Sequence, residues 1–148
     1  IQDTGRPFYG VYYGQAALPH APERLFYLDN AVIRGLQVYN VETSSDIPVY
    51  DLGAAAGRDP YEMFLGGARS IIRITNPNAA QERRLIVFRD SFGSSIAPLL
   101  AAGYSEITLV DIRYISPLSL GKLIDFTKAD DALFLYSASV INNSETIK

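Results

Sequence analysis

The chain contains no cysteine, no tryptophan and a single histidine, His20. Without cysteine it can form neither disulfides nor thiolate metal sites, and one histidine cannot build a multi-histidine metal centre. Positive charge is not in excess either: 13 Lys and Arg face 16 Asp and Glu, for a net charge of −3, and no basic run stands out. A surface that neutralises a row of phosphates needs such a run, so nucleic acid is not an expected partner. No apolar stretch approaches the roughly 18 residues that span a bilayer, and the first residues carry no charged-then-apolar leader. No membrane contact is expected from this segment, and no cofactor is implied. The chain opens on Ile1 rather than Met, which reads as a piece processed or cut from a longer protein.

What is present is enough for one domain. The chain has 148 residues, 48% of them apolar and 20% charged, which suits a single core rather than two independent domains. Residues 7–51 are rich in Tyr, Val and Gly. The runs Phe8-Tyr9-Gly10-Val11-Tyr12-Tyr13, Leu25-Phe26-Tyr27-Leu28, Gln37-Val38-Tyr39-Asn40-Val41 and Pro48-Val49-Tyr50 read as short strands and hairpins. Asp59-Pro60-Tyr61-Glu62 marks a short helix, with an acidic N-cap and Pro at the first helical position, and Gly66-Gly67 stops it. A strand over 70–75 follows.

From residue 84 the pattern changes to alternating strands and helices. Apolar runs at 85–88, 107–110 and 132–136 read as strands, and helices are expected from about 95 and over 118–126. Strands of this kind separated by helices imply parallel pairing. The expected fold class is therefore α/β: a three-layer, mostly parallel sheet of the SGNH or flavodoxin-like kind, with a β-rich N-terminal extension.

In such a sheet the ligand crevice lies beyond the carboxyl ends of the strands. Three polar loops meet there, at 90–95, 111–116 and 137–144. They supply Asp90, Ser91, Phe92 and Gly93, then Asp111, Arg113 and Tyr114, then Asn142, Asn143 and Ser144. Ser91 lies just past an apolar strand and before a helix, where a nucleophilic serine is exposed in α/β hydrolases. Taking Ser95 as N-cap puts Pro98 at the third helical position, where proline is tolerated. Residues 90–94 are then a loop, with Gly93 giving the backbone freedom to turn. The same Asp-Ser-Phe-Gly segment also reads as a plain capped turn. Asp111 and Arg113 likewise read as a salt bridge, and the pair Asp90 and Asp111 as a weak Mg²⁺ candidate. A serine nucleophile needs a base. His20 lies in the proline-flanked segment Leu18-Pro19-His20-Ala21-Pro22, and no Asp-x-x-His or Asp-x-His pair exists in the chain. An ordinary Ser-His-Asp reaction is not expected from these residues alone.

The stretches LIVFRDSFGSSIAPLL at 85–100, YSEITLVDIRY at 104–114, LFLY at 133–136 and NNS at 142–144, with FYG at 8–10, VYD at 49–51 and DPY at 59–61, resemble the C-terminal part of the bacterial DHHW protein family. That family is similar in layout to the SGNH-like alginate and cell-wall polysaccharide O-acetyltransferases. The resemblance implies an exported or cell-surface protein, and an esterase or O-acyltransferase that acts on acylated cell-surface carbohydrate. It puts Ser91 at the nucleophile position, with amides around 91–93 in the oxyanion hole and Asn142 or Asn143 as a further donor. Asp90, Phe92, Gly93, Asp111, Arg113 and Tyr114 would contact substrate. The family's Asp-His-His-Trp element has no counterpart here, so the base and its orienting acid are expected from a segment upstream. Arg89 also stands where SGNH enzymes usually have glycine. The alternative reading is a non-catalytic surface domain that binds glycan or protein through its Tyr-rich first third.

Overall fold

In the computed structural model the described residues are 1–10, 13, 19–143 and 145. Val11 and Tyr12 of the first aromatic run, and Ser144 of the third polar loop, lie outside them. Among the described residues, eight strands form two sheets. β1 (Gln2–Phe8) and β2 (Glu23–Tyr27) make a two-stranded antiparallel ribbon. β3 (Gln37–Asn40), β4 (Ser45–Ile47), β5 (Ile71–Thr75), β6 (Arg84–Arg89), β7 (Glu106–Val110) and β8 (Asp131–Leu135) make a six-stranded sheet in the order β4-β3-β5-β7-β6-β8. Among the described residues four short helices accompany them: α1 (Ala31–Arg34), α2 (Gly93–Leu100), α3 (Pro117–Leu123) and α4 (Ala138–Asn142).

The expected three-layer, mostly parallel sheet is not what forms. β6 pairs in parallel with both β7 and β8, as the strand–helix alternation implies. The pairings β3–β4, β3–β5 and β5–β7 are antiparallel, so the sheet is mixed and mostly antiparallel. The reason lies in the connections. β5 is as apolar and as buried as a central parallel strand, with Ile71, Ile72 and Ile74 nearly inaccessible. Burial on both faces does not set direction, however. Residues 76–83 join β5 to β6 without a helix, so no crossover unit turns β5 parallel to its neighbours.

Side chains alternate strictly across the sheet. Leu85 and Val87 of β6, with Ile107 and Leu109 of β7 and Ile72 and Ile74 of β5, pack against Ala97 and Ala101 on the α2 side. Ile86, Val110 and Ile71 point the other way, against Leu120 and Ile124 on the α3 side. A third cluster joins the ribbon to the 3-10 segment Pro60–Met63, through Leu25, Ala55, Met63 and Phe64. That segment starts where the sequence marks it: the Asp59 carboxylate accepts from the Tyr61 N–H at 3.0 Å. Leu65, Gly66 and Gly67 then take positive φ and end it.

α2 begins at Gly93, two residues before the expected cap at Ser95, and Pro98 sits inside it. The packing of Gly93 explains the shift. A Cβ built on Gly93 would lie 2.6 Å from Arg89 Cβ and 2.9 Å from its Cγ, so this glycine is required by close approach and not by a left-handed backbone. The first turn of α2 thus lies directly on the Arg89 side chain, and that packing outweighs the hydrogen bond Pro98 cannot make. Gly93→Ala is expected to destabilise the fold by about 1–3 kcal/mol in urea titration, through forced displacement of Arg89. A change within about 0.5 kcal/mol, the range of ordinary surface substitutions, would contradict this account.

Candidate functional site

Because β6, β7 and β8 are parallel, their carboxyl ends do converge. Asp90 follows β6, Asp111 follows β7 and Ser137 lies two residues past β8. Asp90 is buried, and its two carboxylate oxygens serve different loops. Oδ1 accepts from the Phe92 N–H at 3.0 Å, and Oδ2 accepts from the Ser137 N–H at 2.6 Å. The Asp90 carbonyl accepts from the Gly93 N–H at 3.1 Å. The turn that carries Ser91 is therefore fixed at both ends.

Arg89 is the largest fully buried side chain of the site, and sequence reasoning missed its role. It was legible only as a departure from glycine. Its guanidinium reaches the Ser94 hydroxyl at 3.1 Å, the Asp90 carbonyl at 3.3 Å and the Arg69 carbonyl at 3.3 Å, and faces the Asp111 carboxylate at 3.9 Å. Nε finds no acceptor among the described residues. Burial lowers the Arg89 pKa from its usual value, and the Asp111 charge opposes that shift. Asp111 is also fully buried, and it holds Arg113 through a two-pronged contact at 2.9 and 2.6 Å. These hydrogen bonds raise the Arg113 pKa. Both carboxylates of the candidate Mg²⁺ pair are thus occupied by protein donors, and no group of three or more His, Cys, Asp or Glu side chains suited to a metal occurs among the described residues.

Ser91 itself is exposed, and its hydroxyl has no hydrogen-bond partner among the described residues. It opens into a groove of about 1080 Å³. Asp90, Phe92, Arg113 and Asn143 line the same groove. Four other expected substrate contacts do not. Gly93 and Asp111 are buried behind the wall, while Asn142 and Tyr114 are exposed outside it. The expected oxyanion donors also narrow to one. The Phe92 and Gly93 amides are engaged by Asp90 and the Ser94 amide by the Ser91 carbonyl, which leaves the Ser91 N–H. The groove is also lined by aromatic side chains, Phe8, Tyr9, Tyr13 and Tyr61. These tyrosines were visible in the sequence, but their place in the same groove as Ser91 depends on packing of the ribbon against the Pro60–Met63 segment, which local pattern does not reveal. His20 is not in the groove wall. Its ring meets Tyr13 edge-on at 4.6 Å, and Nδ1 lies 2.6 Å from the Ala21 carbonyl.

A smaller cavity of about 340 Å³ lies on the α3 side of the sheet, near the amino ends of β6 and β7 and far from Ser91. Its cations Arg73, Arg84 and Lys128 are each paired with a carboxylate, from Glu106, Glu82 and Asp125 respectively.

Tyr61 ties the aromatic wall to the serine side: its hydroxyl donates to Ser95 Oγ at 2.8 Å. Burial raises its pKa above 10.0, partly offset by the Ser95 hydrogen bond. A phenol that holds its proton more tightly folded than unfolded stabilises the fold fully below about pH 10, and that contribution is lost as pH rises past it. Wild type should exceed Tyr61→Phe in stability by about 1 kcal/mol at neutral pH. The gap should shrink in chemical denaturation above about pH 10; a gap constant between about pH 8 and pH 11 would contradict the assignment.

No protein-family model and no curated protein sequence matches the chain. Solved structures do. Bacillus cereus PatB1 with a sulfonyl adduct matches with TM-score 0.67 and 24% identity, over 95% of this chain and 46% of that one. A second Bacillus cereus PatB1 structure matches with TM-score 0.57 and 26% identity, over 72% and 36%. A DHHW family protein from Eubacterium siraeum matches with TM-score 0.66 and 21% identity, over 95% and 49%. The chain spans less than half the length of each. In fold the chain is DHHW-like, as the resemblance of its 85–114 stretch implies.

Proposed function

We propose that the chain carries the nucleophile-bearing part of an esterase or O-acyltransferase that acts on acylated cell-surface carbohydrate. The observation that carries this reading is Ser91: an exposed hydroxyl without a partner among the described residues, on a turn held rigid by Asp90, in the wall of a large groove. Ser91 Oγ attacks the acyl carbonyl, and the Ser91 N–H receives the developing oxyanion. The tetrahedral species expels the sugar oxygen, which takes up a proton, and leaves an acyl-serine ester. Water resolves that ester in hydrolysis, and a second alcohol resolves it in transfer. The proton of Ser91 goes to a base from polypeptide outside these residues, because no described side chain accepts it.

Three further features support the reading. The Tyr and Phe side chains that line the groove with Ser91 suit the apolar faces of sugar rings. Arg113, fixed by Asp111, presents a cation to the groove without the entropy of a free side chain. The fold likeness to PatB1, whose structure carries a sulfonyl adduct, is consistent with nucleophile chemistry, since sulfonyl groups attach to activated nucleophilic side chains. A second reading is a non-catalytic domain that binds glycan or protein through the aromatic wall. The lack of a base beside Ser91 among the described residues favours it.

The complete product of the gene, assayed on 4-nitrophenyl acetate, separates the two. Ser91→Ala is expected to lower kcat/KM by roughly 10³-fold or more. Equal rates for the two proteins, with glycan binding retained by both, would establish the binding reading instead.

A further inference from the structure

The two edges of the main sheet are unlike each other. β4 closes one edge with three residues, Ser45-Asp46-Ile47, a short polar strand that offers little to a partner. β8 forms the other edge with Asp131-Ala132-Leu133-Phe134-Leu135, in which no charge follows the first residue and no proline or bulge interrupts the strand. None of its residues is buried, whereas most residues of its neighbour β6, and of β7 beyond it, are buried. Parallel strands are ordinarily covered on both faces and paired on both sides. Among the described residues, β8 is paired on one side only.

Its outward face is uncovered as well. Phe134 is 69% exposed and stacks on Phe88 of β6 at 4.8 Å, with ring planes 9° apart. Phe88 stacks in turn on Phe126, which is 42% exposed, and Leu123 nearby is 49% exposed. Stacked phenyl rings open to water along a bare strand edge make a contiguous apolar surface, and such a surface marks an interface.

We propose that the outer edge of β8 is the seam on which a further β-strand docks, supplied by polypeptide of the same gene product outside residues 1–148, with apolar side chains that cover Phe134 and Phe126. The lengths of the solved relatives identify this occupant. More than half of each of those chains lies outside the matched region, which is ample for a strand and its covering helix. Strand addition completes the backbone hydrogen bonds of β8, and alternate side chains fill the phenylalanine face. The geometry also bears on the groove. β8 ends beside the Ser137 N–H that binds Asp90, so in either direction one end of the incoming strand arrives at the Ser91 end of the sheet. A base carried there would complete the site; that last step rests on the proposed function, and the seam does not.

The test places a photoreactive residue at the seam. In the complete gene product, Phe134→p-benzoylphenylalanine is irradiated and the cross-linked peptide sequenced, while hydrogen exchange is followed along β8 in the unsubstituted protein. Position 134 is mostly exposed in residues 1–148, so the substitution leaves their core intact. The expected result is an intramolecular cross-link to a segment outside residues 1–148, with every β8 amide exchanging at least about 100-fold more slowly than in an open chain. A cross-link to a second copy, a cross-link within residues 1–148, free exchange of the alternate β8 amides, or a gene product that ends with these 148 residues would each overturn the proposal. Neither readout depends on catalysis. A seam found without esterase activity would refute the function alone, and activity without the seam would refute the docking alone.

Discussion

The site depends on one carboxylate. Asp90 sits at the carboxyl end of β6 and divides its oxygens between the Phe92 amide, inside the Ser91 turn, and the Ser137 amide, beyond β8. Two strand ends and one turn are thereby locked by a single buried anion. Behind it, the Arg89 guanidinium holds Ser94 and the Asp90 carbonyl, and Gly93 lies flat on the Arg89 stem because no Cβ fits there. Every residue of the Asp-Ser-Phe-Gly turn except Ser91 is committed to this arrangement. That division explains why Ser91 alone keeps both its hydroxyl and its amide without a partner among the described residues.

The charge arrangement follows from burial. Arg89 and Asp111 are both withdrawn from water, 3.9 Å apart, and neither is neutralised by the other alone. Asp111 takes a second cation, Arg113, through two short hydrogen bonds, and Arg89 takes three neutral oxygens. Buried charges are tolerated when most of their hydrogen-bonding capacity is met, and here only Arg89 Nε lacks an acceptor among the described residues. One cation of the network is sealed inside and the other reaches the groove.

Much of this was readable from local pattern. The apolar runs at 85–88 and 107–110 fall within β6 and β7, the run at 132–136 overlaps β8 and passes its end by one residue, and their spacing by helices gives the parallel pairing that brings three polar loops together. Asp59-Pro60 caps its 3-10 segment through ordinary N-cap chemistry. What pattern could not supply is anything settled by distant packing. β5 is apolar on both faces, which leaves its direction open, and its helix-free connection makes it antiparallel. Pro98 argues for a late helix start, yet Gly93 on Arg89 starts α2 early. Asn142 and Asn143 are adjacent in sequence, and only Asn143 lines the groove: Asn142 ends α4, and Asn143 follows it with a non-helical backbone. The aromatic residues of the groove other than Phe92 come from residues 8–13 and from Tyr61, thirty or more residues upstream, and no local signal ties them to Ser91.

The central claim is that Ser91 becomes acylated while Asp90 holds its turn. It is tested most directly by brief exposure of the complete gene product to an acetyl ester, followed by acid quench and peptide mass mapping. The account predicts one acetyl group on Ser91 in the wild type and little or none in Asp90→Ala, whose Phe92 and Ser137 amides have lost their acceptor. Ester turnover with Ser91 unmodified, or an acetyl group that accumulates on another residue, would contradict it.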